Sequence, residues 1–430
     1  MQRTVRGGVV GSAVFLLAVL LGVAPVAAQT IVVWDWEPPE VMEKYRPMIE
    51  RFQQETGIRV EYQQVPWAEM KDKTAVAIAG GAPPDLVRIS SRWGDTLAEQ
   101  GLFTDLRPYL ERFEGQYKFS DFFPASVNLW TAVDGSVYAL GNDLDIVALF
   151  FNRELFEAQG LEEPYAYDWN QWYDAARKLT RDTDGDGTVD QFGMTNWWFH
   201  WHSLVWANGG STFRDDRTTH ALGSPQAREA LEFYRRFFQD RLMPAMADSQ
   251  ALGYPHPAAH WKAGRIGMAP AGAWMPNYWV WDQQAGAYAF DFDVAHMPVS
   301  PAGQRATTLE GSGYGIPVNA ANKDAAFRFL AFITSQEWQM TYALTGFPSR
   351  RTAAEAAFAQ PGEPRNKAIW VEVTGYARPF PKGVDWWGRT AAIINRHMSQ
   401  FFAGNVSLEQ ALTAADEELR PVLAEILGRK

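Results

Sequence analysis

The densest run of chemistry-bearing residues is Asp182-Thr183-Asp184-Gly185-Asp186-Gly187-Thr188-Val189-Asp190. Carboxylates at positions one, three, five and nine, a glycine at six and a carbonyl from Thr188 at seven reproduce an EF-hand loop, whose oxygen ligands suit calcium. Position twelve departs from that pattern: Gly193 stands where the loop needs a bidentate glutamate. Two readings stay open. One structural calcium could be held by Asp182, Asp184, Asp186, Thr188 and Asp190, completed by water or a distant carboxylate, or the run is an acidic surface turn. No other cofactor is expected.

Aromatic residues form the second constellation. Trp197-Trp198-Phe199-His200-Trp201 lies close to Trp206, and Trp274 and the pair Trp386-Trp387 stand farther along the chain. Neighbours on a helix or strand point in different directions, so consecutive tryptophans cannot all face one core. Core packing is the ordinary role of any single Trp. Several of this set are nonetheless expected to line a cleft, where a flat ring packs against the C–H face of a ligand. The matching polar groups must be planar and rigid: Asp35, Asn142, Asp143, Asp145 and Arg378 each offer paired acceptors or donors to adjacent hydroxyls. Some chemistry is excluded. The His200/His202 and His256/His260 pairs lack the context of a zinc site. Gly311-Ser312-Gly313-Tyr314-Gly315 lacks the spacing of a dinucleotide loop, so close approach of backbone to ligand or hinge is expected at Gly311, Ser312 and Tyr314. No G-x-S-x-G elbow is present.

The elements that would position these residues begin with a strand, Thr30 to Trp34, running into Asp35-Trp36 before Pro38. A helical face of Val41, Tyr45, Met48 and Phe52 stops at Gly57. Ile58 to Tyr62, a helix over Trp67 to Ala79 and the strand Pro84 to Ile89 follow. Strand, helix, strand, helix, strand makes a parallel α/β sheet. Ligands bind at the carboxyl ends of such strands. That rule marks Trp34, Asp35 and Trp36 after the first strand and the turn Ser90-Ser91-Arg92-Trp93 after the third. The middle and end of the chain are richer in helix. Asp168, Ser224, Asn322 and Ser335 are expected caps, and a final helix from Ser407 is expected to bend or break near Pro421.

Bulk properties bound the class. With 430 residues the chain exceeds what one hydrophobic core usually supports, so two domains are expected. A formal charge of −11 argues against nucleic acid or an anionic membrane as partner. The absence of cysteine excludes disulfides, thiol nucleophiles and a lipid-modified cysteine. Arg3 and Arg6, the apolar run Val9 to Val23 and Pro25-Val26-Ala27-Ala28 read as a signal peptide cleaved after Ala28, with retention as an anchor the alternative. The expected location is a periplasm.

Six stretches then carry a resemblance. Glu50 to Val60 (ERFQQETGIRV) resembles "F-E-x-E-T-G-I-x-V", and Ala77 to Leu86 (AIAGGAPPDL) resembles "A-x-A-x-G-x-x-P-D-V/L". Gly135 to Asn152 resembles "G-K-x-Y-G-L-P-x-x-x-D-x-x-x-L-x-Y-N", with Asn142 where proline is usual and Phe151 in place of tyrosine. His260 to Trp274, Thr308 to Asn319 and Phe327 to Trp338 match three further motifs. Taken in order, they resemble the extracellular solute-binding proteins of ABC importers, the family that includes the maltose-binding proteins. The resemblance implies an α/β fold of two periplasmic-binding-protein-like lobes, each a mainly parallel sheet flanked by helices, joined by hinge crossovers. The implied division is 29–149 plus 308–345 for the first lobe and 150–307 plus 346–430 for the second. It implies a non-enzymatic binder of a carbohydrate, with ABC permease subunits as partners and a monomeric state. Two alternatives remain: a binder of a glycerol phosphodiester or other phosphorylated polyol, and a secreted glycoside hydrolase.

Overall fold

The computed structural model describes residues 29–196, 200–245, 252, 258–276, 280–282, 285–343 and 346–428. Trp197, Trp198 and the expected signal peptide lie outside the described residues. In chain order the strands are β1 (Thr30–Asp35), β2 (Arg59–Gln64), β3 (Leu86–Ser90), β4 (Leu140–Gly141), β5 (Asp145–Asn152), β6 (Phe192–Met194), β7 (Ile266–Gly272), β8 (Trp281–Asp282), β9 (Ala287–Tyr288), β10 (Phe292–Ala295), β11 (Thr307–Glu310), β12 (Ser312–Gly315) and β13 (Ala377–Pro379).

The first sheet has the order β2-β1-β3-β12-β4. Its β1, β2 and β3 are parallel, as the strand–helix alternation requires, while β12 enters antiparallel to β3 and β4. Alternation along β1 buries Ile31, Val33 and Asp35 on one face. Behind that face pack Tyr45, Ile49, Phe52 and the helix Lys323–Ile333. The helix Arg46–Thr56 ends on Gly57 at φ 71°, the left-handed conformation that glycine adopts without strain.

The second sheet runs β13-β11-β5-β7-β6, with β10 also on β5. Its centre, β5, is antiparallel to β7, β10 and β11. Helix Trp169–Leu179 begins with a reciprocal capping box between Asp168 and Gln171 and lays Trp172, Ala176 and Leu179 into the core. Ser224 and Ser335 cap as expected, whereas the Asn322 side chain donates to Thr30 O instead of capping its helix. Pro421 lies inside the unbroken helix Leu408–Gly428.

The chain leaves the first sheet across 142–144 and returns at Gly311. The boundaries expected after 149 and 307 therefore fall inside β5 and β11. The reason is physical: β5 is buried along almost its whole length, so no alternation marks where one sheet ends and the next begins. A third passage joins the other two, since Leu144 N–H donates to Phe347 O and Asp143 bridges Pro348. One apolar cluster runs through this junction, linking Val87 and Ile89 of the first sheet to Ile146, Ala148 and Phe150 of the second.

Candidate binding cleft

The antiparallel pairing of β12 with β3 sets Ser312 opposite Ser90 and Tyr314 opposite Arg88. That register places an arginine in the middle of a strand buried at every position. A buried guanidinium is tolerated only if acceptors surround it. Arg88, 3% exposed, has them. It reaches Asp35 at 3.1 Å, Glu37 at 2.6 Å and Asp143 at 3.4 Å, and donates to Ser312 Oγ at 3.0 Å and Tyr342 Oη at 3.3 Å. Asp143 accepts in turn from Ser312 N–H at 2.6 Å, Ser312 Oγ at 2.5 Å, Tyr342 Oη at 2.8 Å and Asn142 Nδ2 at 3.2 Å. One network thus ties β1, β3, two sheet crossings and the helix Gln336–Tyr342 together.

Above it opens a cleft of about 460 Å³, a size ordinary for small-molecule sites. Trp36, Trp67 and Trp274 supply its aromatic lining, and Trp67 is 46% exposed. The Trp36 ring lies under Arg88, 4.4 Å from the guanidinium carbon to the ring centroid. Glu37, Asp143, Asp145 and Glu310 present carboxylates, against two cations, Arg88 and Arg92. Arg92, on the helix Ser91–Glu99, forms an ion pair with Glu310 of β11 and stacks over Trp387 at 4.7 Å. His200 Nε2 stands 3.0 Å from the other Glu310 oxygen, close enough for ion pairing but outside hydrogen-bond alignment. Burial pulls the Glu310 carboxyl up, but Arg92 and His200 outweigh it and hold it below its ordinary value. Asp145 behaves oppositely. Burial, then the charges of Asp143 and Glu310, push its carboxyl well above the ordinary range.

Of the residues expected from sequence, Trp36, Arg92, Asp143, Asp145, Trp274, Gly311 and Ser312 line the cleft. Others are placed elsewhere. Because β1 ends at Asp35, Trp34 and Trp36 do not share a strand face; Trp34 donates to Gln63 over β2 instead. Asp35 and Tyr314 are buried beneath Arg88 and bond each other. Asn142 is buried beside Asp143, and Ser91 Oγ accepts from Gly311 N–H behind the cleft wall. Trp93, Trp206 and Trp386 pack in the cores at 5%, 5% and 1% exposure. Trp387 is outside the lining and meets the cleft wall through Arg92. Arg378 lies exposed on β13, outside the lining.

Sequence reasoning passed over Glu37, Trp67, Arg88, Glu310, Tyr342 and Gly346, whereas Ser90, at the expected turn after the third strand, does line the cleft. Arg88 had a readable signal, a lone charge between Leu86, Val87 and Ile89; Glu310, which ends the strand Thr307-Thr308-Leu309-Glu310, had none as plain.

The acidic loop is only partly a metal cradle. Carboxylate oxygens of Asp182, Asp184 and Asp186 come within 4.8 Å of one another. Gly187, at loop position six, has φ 91°. Asp190, however, turns away to Thr183 and Arg265. Gly193 explains the missing glutamate: a Cβ there would sit 2.0 Å from Ala176 O, where β6 packs on the helix Trp169–Leu179. No side chain fits at position twelve.

Comparison with known proteins follows from this geometry. The family model described as bacterial extracellular solute-binding protein matches residues 35–340. A Brucella abortus (strain 2308) protein whose name specifies only binding is 26% identical over 296 residues, covering 66% of this chain and 67% of that protein. A mannitol-binding protein of Pseudomonas aeruginosa is 26% identical over 54% of this chain and 53% of its own length. An ABC substrate-binding protein of Listeria monocytogenes, solved in complex with cycloalternan, superposes with a TM-score of 0.76 at 22% identity, covering 93% of this chain and 99% of that one. That likeness establishes the fold.

Proposed function

The chain belongs to the bacterial extracellular solute-binding protein family, and on that premise we propose that it is the capture component of an ABC importer for a carbohydrate. The observation that carries this reading is the cleft's mixed lining, three tryptophan faces beside fixed carboxylate acceptors. Rings pack on the tryptophans while hydroxyls donate to carboxylates that the Arg88 network already holds in place. The passages at 142–144, 311 and 346–348 act as the hinge between a first lobe built on β1–β4 and β12 and a second built on the remaining main sheet. Export to a periplasm after cleavage at Ala28, action as a monomer, delivery to permease subunits and absence of catalysis belong to the same proposal. A phosphorylated ligand is disfavoured, because its charge would meet four carboxylates and two arginines already engaged.

One observation keeps the hydrolase reading as the second. Asp145 and Glu310 stand directly opposite across β5 and β11, and their carboxyls are shifted in opposite directions, the signature of an acid and a base. Incubation with a labelled oligosaccharide panel separates the two. Retention in a fixed ratio without products is the expected result, and turnover would sink the capture reading. A structural calcium on Asp182, Asp184 and Asp186 remains a proposal too. It predicts a melting temperature that chelator lowers and that Asp184→Ala makes insensitive to chelator; an unchanged melt leaves an acidic turn.

A further inference from the structure

The charges facing the cleft do not balance, and the imbalance is localised. Arg88 is shared by three carboxylates, Asp35, Glu37 and Asp143. Arg92 is taken by Glu310. Asp145 remains. Among the described residues no N–H or O–H group donates to its carboxylate, although it lines the cleft. Register makes its position costly, because the Cα of Asp145 pairs with that of Glu310 across two antiparallel strands, which aligns two acids on one face. The charged groups acting on it come from four places: Asp143 from the crossing, Glu310 from β11, Arg92 from the helix Ser91–Glu99 and Arg88 from β3. Two are acids, and both cations are already engaged. A carboxylate left in this state inside a cleft with tryptophan walls is complementary to a positive charge on the ligand.

Resting on the carbohydrate reading above, we infer that the cleft takes a sugar or polyol bearing a protonated amine, with the ammonium against Asp145 and the ring face against Trp36 or Trp274. Burial and the neighbouring acids also favour the protonated form of Asp145. An incoming ammonium therefore displaces that proton to solvent, while a hydroxyl in the same place leaves it bound. Amine capture releases protons; neutral-sugar capture does not.

Titration calorimetry on the mature full-length chain tests this with glucosamine, galactosamine and 6-amino-6-deoxyglucose against glucose and galactose, in two buffers of different ionisation enthalpy. An amine should bind about tenfold tighter than its hydroxyl counterpart, the size of one charge-assisted hydrogen bond, with heat that depends on the buffer. Asp145→Asn should remove both effects and Asp145→Glu should keep the preference. The buffer comparison on the unaltered chain needs no variant to fold. Equal binding of amine and neutral sugar overturns this inference and leaves the carbohydrate reading standing. Binding of neither class, with no retention of the labelled oligosaccharide panel either, overturns both.

Discussion

Arg88 and Arg92 are one helical turn apart in sequence and do opposite work. Arg88 is enclosed, with partners on both sheet crossings and on the helix Gln336–Tyr342. Arg92 is a quarter exposed and reaches across to Glu310 of the other sheet and to Trp387 on the helical turn Trp386–Thr390. The first arginine fixes a frame, and the second forms part of the cleft wall. The difference teaches that charge in a cleft is not a single category. Enclosed charge sets geometry, and partly exposed charge is left within reach of whatever enters the cleft.

The sharpest way to break that contrast is Arg88→Ala. It leaves Asp35 and Asp143 buried, and Glu37 partly buried, without their cation, and the expected loss is about 3–5 kcal/mol of folding stability. Urea unfolding measures it, and a loss below about 1 kcal/mol would show that Arg88 is not the frame. Next in size is Trp36→Ala, which removes the ring beneath Arg88 and part of the cleft wall. Affinity should fall by about 1–3 kcal/mol, taking base–aromatic stacking as the guide. Stability should fall only by the cation–π contribution of about 0.5–1 kcal/mol. Calorimetry and melting on the same variant decide it; retained affinity with a collapsed melt would move Trp36 into the core.

The smallest effect concerns Asp95, one turn beyond Arg92, whose carboxyl is pushed up to about 6 chiefly by burial, against the Thr96 N–H that favours its charged form. Since the folded chain favours the neutral acid, its contribution is fully present below about pH 4 and lost as pH rises toward 6. Asp95→Asn should therefore gain about 1–2 kcal/mol above pH 6, discounted for partial exposure, and nothing near pH 4. Urea midpoints across that range check it. A difference that does not vary with pH would overturn the assignment.

What the sequence made legible divides along a similar line. The parallel β1, β2 and β3 could be read because each sits between helices of clear periodicity, and Trp36 and Arg92 followed from the carboxyl-end rule. The Asp182 loop was visible as a motif, but the contact that forces Gly193 to be glycine comes from a helix packed beside it. Trp206 and Trp386 looked like cleft residues because a tryptophan's type does not say which face of its element is covered. Asp143 and Ser312 meet over a separation of 169 residues, and no local pattern encodes that meeting. Arg88 is the instructive middle case: its oddity was local, while its partners were not.

Gly311 carries one more consequence. A Cβ there would sit 2.4 Å from the carbonyl oxygen of Asp143, so the two crossing passages lie backbone against backbone and no side chain of any kind can separate them. For mutational drift this divides the protein into unequal territories. Position 311 offers no neutral neighbour in sequence space, while the walls at Trp36, Trp67 and Trp274 can be exchanged one at a time without disturbing it. A library randomised over the walls should yield folded proteins with new preferences, and one randomised at 311 should return glycine.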